Sequence, residues 1–104
     1  MPVRRYTPTP SAEYAELVDR LADEWRTPDA AAAEPVILEE PDRQGVVRHV
    51  YVVWDEWSHL PREQRGEIIM DAAQRVKPTL DVDNITIAMG LTADEADRFQ
   101  LTWR

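Results

Sequence analysis

The chain has 104 residues, of which 43% are hydrophobic and 31% are charged, and this length and composition are typical of one globular domain rather than a disordered chain. Twenty acidic and twelve basic residues give a net charge of −8, which disfavours general nucleic-acid binding and suits a basic partner better. Because the chain has no cysteine, disulfides, thiolate catalysis and cysteine-held metal centres are excluded.

The N-terminal residues 1–10 contain three prolines and no apolar periodicity, so they predict an extended or flexible tail ahead of a single domain at 11–104. They also lack the apolar segment of a secretory signal. No stretch of the chain approaches the roughly 18 apolar residues of a membrane span. We therefore expect no membrane partner and a cytoplasmic location.

A first amphipathic helix is predicted from Ser11 to Thr27-Pro28. Ser11 is of the type that caps a helix N-terminus, and the residue before a proline disfavours helical backbone. One stripe of apolar residues recurs at helical spacing, formed by Tyr14, Leu17, Val18, Leu21 and Trp25.

A β-hairpin is predicted next, after a connector at 28–35. Its first strand is Val36–Glu40, and its second is Val46–Asp55, which is rich in Val, Tyr and Trp. The five residues between them include Pro41, Asp42 and Gly45, whose backbone preferences are typical of a hairpin loop.

Alternate residues of the second strand predict two partly apolar faces. One face carries Val46, Arg48, Val50, Val52 and Trp54, and the other carries Val47, His49, Tyr51, Val53 and Asp55. If helices cover only one side of the sheet, the second face is left as a semi-hydrophobic patch of the kind that contacts partners or subunits. The alternative is a central strand that is covered on both sides.

The second half of the chain predicts a helix, a strand and a short helix. The helix starts at Pro61, which suits the first helical position, and runs to Val76 before Lys77-Pro78. A third strand spans Asn84–Met89 and is closed by Gly90. Thr92 and Glu95 have the spacing of a capping box, which predicts a helix to about Phe99.

The predicted fold class is therefore α+β, with two layers in the order α–β–β–α–β–α. The three strands form a mixed sheet, and the helices pack on one of its faces.

The most unusual segment is the junction between the second strand and the second helix, where Trp54 and Trp57 bracket Asp55 and Glu56. Tryptophan is enriched where binding energy concentrates. The junction predicts a partner-binding site together with His49, Tyr51 and Val53 on the strand. The alternative interpretation is that both indoles seal the end of the core.

Other chemistries have weaker signals. The chain has no nucleophile elbow, phosphate-binding glycine loop or dinucleotide fingerprint, so we expect no catalytic residues and no cofactor. Arg62, Arg65 and Arg75 could form a local basic strip for nucleic acid. The two histidines, His49 and His59, would have to converge with carboxylates to bind a metal, and their positions in a strand and a loop do not favour a metal site.

The chain resembles the BolA family, whose fold is similar to the type II KH fold. The resemblance is in the order of elements and in the segments His49–Trp57, Leu60–Arg75 and Ile85–Glu95. This resemblance implies the same fold, and a role with monothiol glutaredoxins in iron–sulfur and redox regulation, or in DNA binding. The family's cluster-ligand histidine would fall near Ile85 or Thr86, where this chain has none. The G-x-x-G loop of KH domains is also absent. We therefore expect the fold of this family but not its cofactor.

Together these features predict a non-enzymatic, acidic protein-interaction module of adaptor or regulatory type. Its predicted partner is a protein, and the net charge of the chain suits a basic one; a homodimer through the open sheet face is an alternative. Two further functions are compatible with the sequence: a nucleic-acid-binding domain and a small metal- or cofactor-binding protein.

Overall fold

A computed structural model describes residues 12–76 and 82–103, and its elements follow the predicted order α–β–β–α–β–α. The helices are α1 (Ala12–Arg26), α2 (Arg62–Val76) and α3 (Ala93–Arg98), and the strands are β1 (Val36–Pro41), β2 (Val47–Val53) and β3 (Ile87–Leu91). Short 3₁₀ turns occupy Asp55–His59 and Val82–Asn84. The predicted tail at 1–10, the Ser11 cap and the Lys77-Pro78 stop lie outside the described residues.

The three strands form one mixed sheet in the order β1-β2-β3, with β1 antiparallel and β3 parallel to β2. This confirms the predicted α+β class, element order and mixed sheet. The two long helices lie on one face as predicted, whereas α3 packs against the end of the opposite face. The hairpin loop closes as its residue types predict, because the Asp42 carboxylate accepts the backbone N–H groups of Gln44 at 2.8 Å and Val46 at 3.0 Å. Gly45 takes a φ of +81°, a conformation that glycine adopts without steric cost.

The main core lies between the sheet and the two long helices, α1 and α2. The apolar stripe predicted for the first helix faces inward, with Leu17, Val18 and Leu21 of α1 buried against Val50 and Val52. A second apolar stripe on α2, which also includes Arg65, buries Ile68, Ile69 and Ala72 in the same core. Burying a large aliphatic side chain contributes about 1.5–3 kcal/mol each, so these stripes hold the two layers together. Among the described residues, no helix is both long enough and apolar enough to cross a membrane.

The third strand begins and ends later than predicted. Asn84 belongs to a 3₁₀ turn, and β3 runs from Ile87 to Leu91. Gly90 does not close the strand as predicted but lies buried within it. A side chain there would place Cβ 2.8 Å from Arg65 Cβ and 2.9 Å from Trp57 Cε2. Gly90 is therefore a site of close approach to two side chains.

The second strand is shorter than predicted and changes register near its start. Asp55 starts a 3₁₀ turn instead of continuing β2. The pairing with β1 shifts between Glu40 and Pro41, so that His49 lies opposite Glu40 but Val47 lies opposite Pro41. Such a shift inserts an extra residue and interrupts the alternation of side chains. Val47 consequently packs against the helix-side core, and its predicted placement on the same face as His49 is wrong.

Candidate interaction surface

The face of the sheet opposite α1 and α2 carries three rows of side chains. Residues that lie directly opposite one another on neighbouring strands share a face. The strand pairing therefore aligns Val36, Val53 and Leu91 in one row, Leu38, Tyr51 and Met89 in the next, and Glu40, His49 and Ile87 in the last. These rows form the outer face of the sheet.

The first row is covered by α3 and the residues that follow it. Val53 and Leu91 are buried in a small second core with Ala96 of α3, and Leu101 and Trp103 pack against it. The capping box that starts α3 is formed as predicted: Thr92 Oγ1 accepts the Glu95 N–H at 3.3 Å, and the Glu95 carboxylate accepts the Thr92 N–H at 2.9 Å. Val53 is therefore unavailable to a partner.

The other two rows remain partly open to solvent. Ile87 is 39% exposed, and Leu38, Tyr51 and Met89 are only partly buried. These four residues, with Glu40 and His49 beside them, are referred to below as the outer patch. Its six members come from all three strands, so a partner would contact the rigid sheet rather than a loop.

Polar contacts hold one end of the outer patch in place. His49 Nδ1 lies 3.1 Å from Glu40 Oε1, and the His49 and Tyr51 rings meet edge to face with centroids 6.3 Å apart. Partial burial raises the pKa of Tyr51 above its ordinary value, and the negative charge of Glu40 raises it further. Tyr51 therefore stays a neutral hydrogen-bonding phenol at physiological pH.

The two indoles predicted to bind a partner are in the core instead. Trp54 is 1% and Trp57 0% exposed, and their rings meet edge to face with centroids 5.1 Å apart. Trp57 Nε1 donates to the Val52 carbonyl at 3.0 Å, and the Arg20 guanidinium lies 5.0 Å from the centre of the Trp54 ring. They seal the end of the core, as in the alternative interpretation, because the 3₁₀ turn carries Trp57 back over Gly90.

Asp55 and Glu56 are exposed but make contacts within the chain. The Asp55 carboxylate accepts the Ala93 N–H at 3.0 Å, and the Asp55 N–H donates to the Glu34 carboxylate at 2.8 Å. Glu56 lies 4.0 Å from Arg20. Asp55 thus ties the connector and α3 to the end of β2, which gives it a structural explanation.

The three arginines considered for nucleic acid do not form one strip. Arg65 is 5% exposed and donates to the carbonyls of Leu60 at 2.9 Å and Gly90 at 3.2 Å and to Glu95 at 2.6 Å. Arg75 pairs with Asp19. Arg62 is exposed, 3.6 Å from Glu95, and about 20 Å from Arg75 along the helix axis at about 1.5 Å per residue.

The two histidines are held apart by different carboxylates. His49 contacts Glu40 on the outer face, whereas His59 contacts Glu13 of α1. Within residues 12–76 and 82–103, no group of three or more His, Asp or Glu side chains has the arrangement of a metal site.

Sequence reasoning identified His49 and Tyr51 of the outer patch and missed Leu38, Glu40, Ile87 and Met89. Alternation within a single strand was a sufficient signal for β2, the strand with the strongest pattern. The other four residues lie on β1 and β3 and share its outer face because of the pairing register. That register cannot be predicted from the sequence of one strand alone.

Comparisons of the chain with protein-family models, with curated proteins and with solved structures gave no match. The resemblance to the BolA family therefore stays a prediction, and the surface has to be interpreted from its own chemistry.

Proposed function

We propose that the chain is a non-enzymatic protein-interaction module, of adaptor or regulatory type, that binds another protein through the outer patch. The observation that carries this proposal is that Leu38, Tyr51 and Ile87 belong to none of the hydrophobic clusters of the described residues and stay partly exposed, while Met89 contacts the small core under α3 and is only partly buried. Partly exposed apolar surface on a sheet is typical of a contact site.

The composition of the outer patch supports a protein partner in particular. Tyrosine and methionine are enriched at protein interfaces, whose buried centre is apolar and whose rim is polar. Here Tyr51 supplies a rigid aromatic with a hydrogen-bonding tip, and Met89 supplies an adaptable apolar side chain. Glu40 and His49 give the patch a polar margin.

Nucleic-acid and metal binding have less support from the structure. A nucleic-acid site through Arg62, Arg65 and Arg75 is disfavoured because Arg65 is buried and Arg75 is paired with Asp19. A metal or cofactor role for the histidines has no converging ligands in the described part of the chain. The cytoplasmic location stays a prediction, and a homodimer through the open sheet face stays an alternative to a different protein partner.

Site-specific photo-crosslinking in the source cells tests the proposal. A photoreactive phenylalanine analogue at Leu38 should give a discrete adduct with another protein. The same analogue at Gln74, an exposed position on α2, should not give it. Tyr51→Lys, which leaves the helix-side core intact, should suppress the Leu38 adduct because it places a charge at the centre of the patch. Identical products from both positions, or an adduct that persists unchanged in Tyr51→Lys, would contradict the proposal.

A further inference from the structure

A second binding surface lies on a different side of the molecule, in a groove between the end of α1, the connector and β1. Its volume is about 480 Å³, within the roughly 300–1,000 Å³ of ligand-binding clefts. Apolar atoms of Trp25, Pro28, Ala32, Pro35, Val36 and Ile37 line it. We call it the β1 groove.

The charged lining of the β1 groove has one sign. Glu24, Asp29 and Glu39 contribute carboxylates, and no lysine or arginine is among the described residues that line it. None of the three carboxylates has an ion pair within residues 12–76 and 82–103. Their hydrogen bonds go to uncharged donors: the Asp29 N–H for Glu24, the Ala31 N–H for Asp29, and the Trp25 indole for Glu39.

The two arginines of α1 line a neighbouring cleft together with Glu24 and Asp29, but neither forms an ion pair with those carboxylates. Arg20 lies over the Trp54 ring and faces Glu56. Arg26 donates to the backbone carbonyl of Arg75 on α2. Glu39 does not line that cleft and makes no ion pair among the described residues, so it is the groove carboxylate most open to the charge of a ligand.

Trp25 gives the groove an aromatic wall. The ring packs on the core through one side, and its Nε1 donates to Glu39 Oε1 at 2.6 Å, which fixes the indole beside the carboxylate. Because the N–H lies in the plane of the ring, Glu39 is at the edge of the indole, and the ring supplies apolar surface beside the charge.

We infer that the β1 groove binds an extended, basic segment of a partner protein, with alternating cationic and apolar side chains. The cationic side chains would meet Glu24, Asp29 and Glu39, and the apolar ones would cover Ile37 and the prolines. This site is independent of the outer patch, so either proposal can fail without the other.

The test is an NMR titration of the purified chain with three peptides: an alternating lysine–valine heptapeptide and its glutamine and glutamate counterparts. The lysine peptide should shift the Trp25 indole N–H resonance, assigned with Trp25→Phe, together with the amides of Ile37 and Glu39. The glutamine peptide should bind more weakly and the glutamate peptide not at all. Added salt should weaken the lysine complex.

Adjacent glutamates on β1 offer a matched pair of variants, because Glu39 faces the groove and Glu40 faces the outer patch. Glu39→Gln keeps an acceptor for the Trp25 indole and removes only the charge, so it should weaken the lysine peptide about two- to fivefold, as expected for one exposed charge pair. Glu40→Gln should leave its affinity unchanged.

Three results would overturn the inference: no binding of the lysine peptide at millimolar concentration, equal binding of the lysine and glutamate peptides, or equal losses in Glu39→Gln and Glu40→Gln. Resonance shifts confined to residues away from the groove would overturn it as well.

Discussion

At Gly90, two other parts of the chain approach β3 closely. The Trp57 ring and the stem of Arg65 both lie against the Gly90 Cα, and the Arg65 guanidinium donates to the Gly90 carbonyl at 3.2 Å. Arg65 thus covers a glycine in the sheet with its aliphatic part and uses its charge on backbone and carboxylate oxygens. This explains how an arginine can occupy an apolar stripe of α2.

We predict that Gly90→Ala destabilises the protein by about 2 kcal/mol, because an added methyl group in a filled core typically costs about 1–3 kcal/mol. The Cβ would lie 2.8 Å from Arg65 Cβ and 2.9 Å from the Trp57 ring, and neither is the free end of a flexible side chain. Urea unfolding monitored by circular dichroism measures the change.

Gly66→Ala is the comparison for this substitution. Its Cβ would lie 3.2 Å from the Ala88 carbonyl oxygen, a milder contact, and alanine gains about 1 kcal/mol over glycine in a helix. The loss should therefore be clearly smaller than at Gly90. Equal losses at the two glycines would mean that the Trp57–Arg65 contact does not set the requirement.

At the level of elements, α3 is joined to α2 through one carboxylate. Glu95 closes the capping box of α3 and also receives Arg65 Nη1 at 2.6 Å. Its burial on its own would raise its pKa, but hydrogen bonds from Thr92 and Arg65 and the Arg65 charge outweigh that effect. The net result is a lowering of the Glu95 pKa from 4.5 to about 2.

This lowered pKa predicts how stability depends on pH. A carboxyl group with a lower pKa in the folded state stabilises that state above its unfolded pKa, and the contribution is lost as pH falls through the folded value. The pKa of Glu95 falls from 4.5 to about 2 on folding. At 1.36 kcal/mol per pKa unit, the Glu95 carboxylate contributes about 3 kcal/mol to stability at neutral pH. Glu95→Gln should therefore destabilise the protein by about this amount at pH 7 and progressively less between pH 4.5 and pH 2.

Urea unfolding of both proteins across this pH range provides the measurement. Asp94→Asn is the matched control, since Asp94 is exposed in the first turn of the same helix and a charge there contributes at most about 1 kcal/mol. A Glu95→Gln effect that stays constant from pH 7 to pH 2 would contradict the assignment.

The elements also show what sequence reasoning can reach. Both long helices, the hairpin loop and the capping box depend on spacing and residue type within a few positions, and they were confirmed. Other features depend on how the strands pair and on which side chain lies over the sheet. These are the roles of Gly90 and Val47, and the position of Leu38, Ile87 and Met89 beside Tyr51. Alternation along β2 was interrupted by a register shift at Glu40 and Pro41 that β2 alone does not reveal.

For the whole molecule, the size of the outer patch limits what it can bind. Three strands about 4.8 Å apart and two rows about 6.8 Å apart along the strands give a patch of about 200 Å². A stable interface commonly uses about 800 Å² on each partner. The patch is therefore one part of a larger contact, and a partner that also placed a basic segment in the β1 groove would contact considerably more surface.

The same comparison predicts that the purified chain is a monomer at micromolar concentration. Pairing two outer patches would bury too little apolar surface, and a net charge of −8 on each chain adds repulsion that is only partly screened at physiological ionic strength. Sedimentation velocity at 50 and at 500 mM salt measures the mass of the protein in solution. We expect the monomer mass at both salt concentrations, and the same mass for Met89→Lys, which changes the outer patch. A dimer that strengthens with salt and is lost in Met89→Lys would contradict this prediction. It would mean that a second copy of the chain binds the outer patch, because salt screens the charge repulsion and leaves the apolar contact.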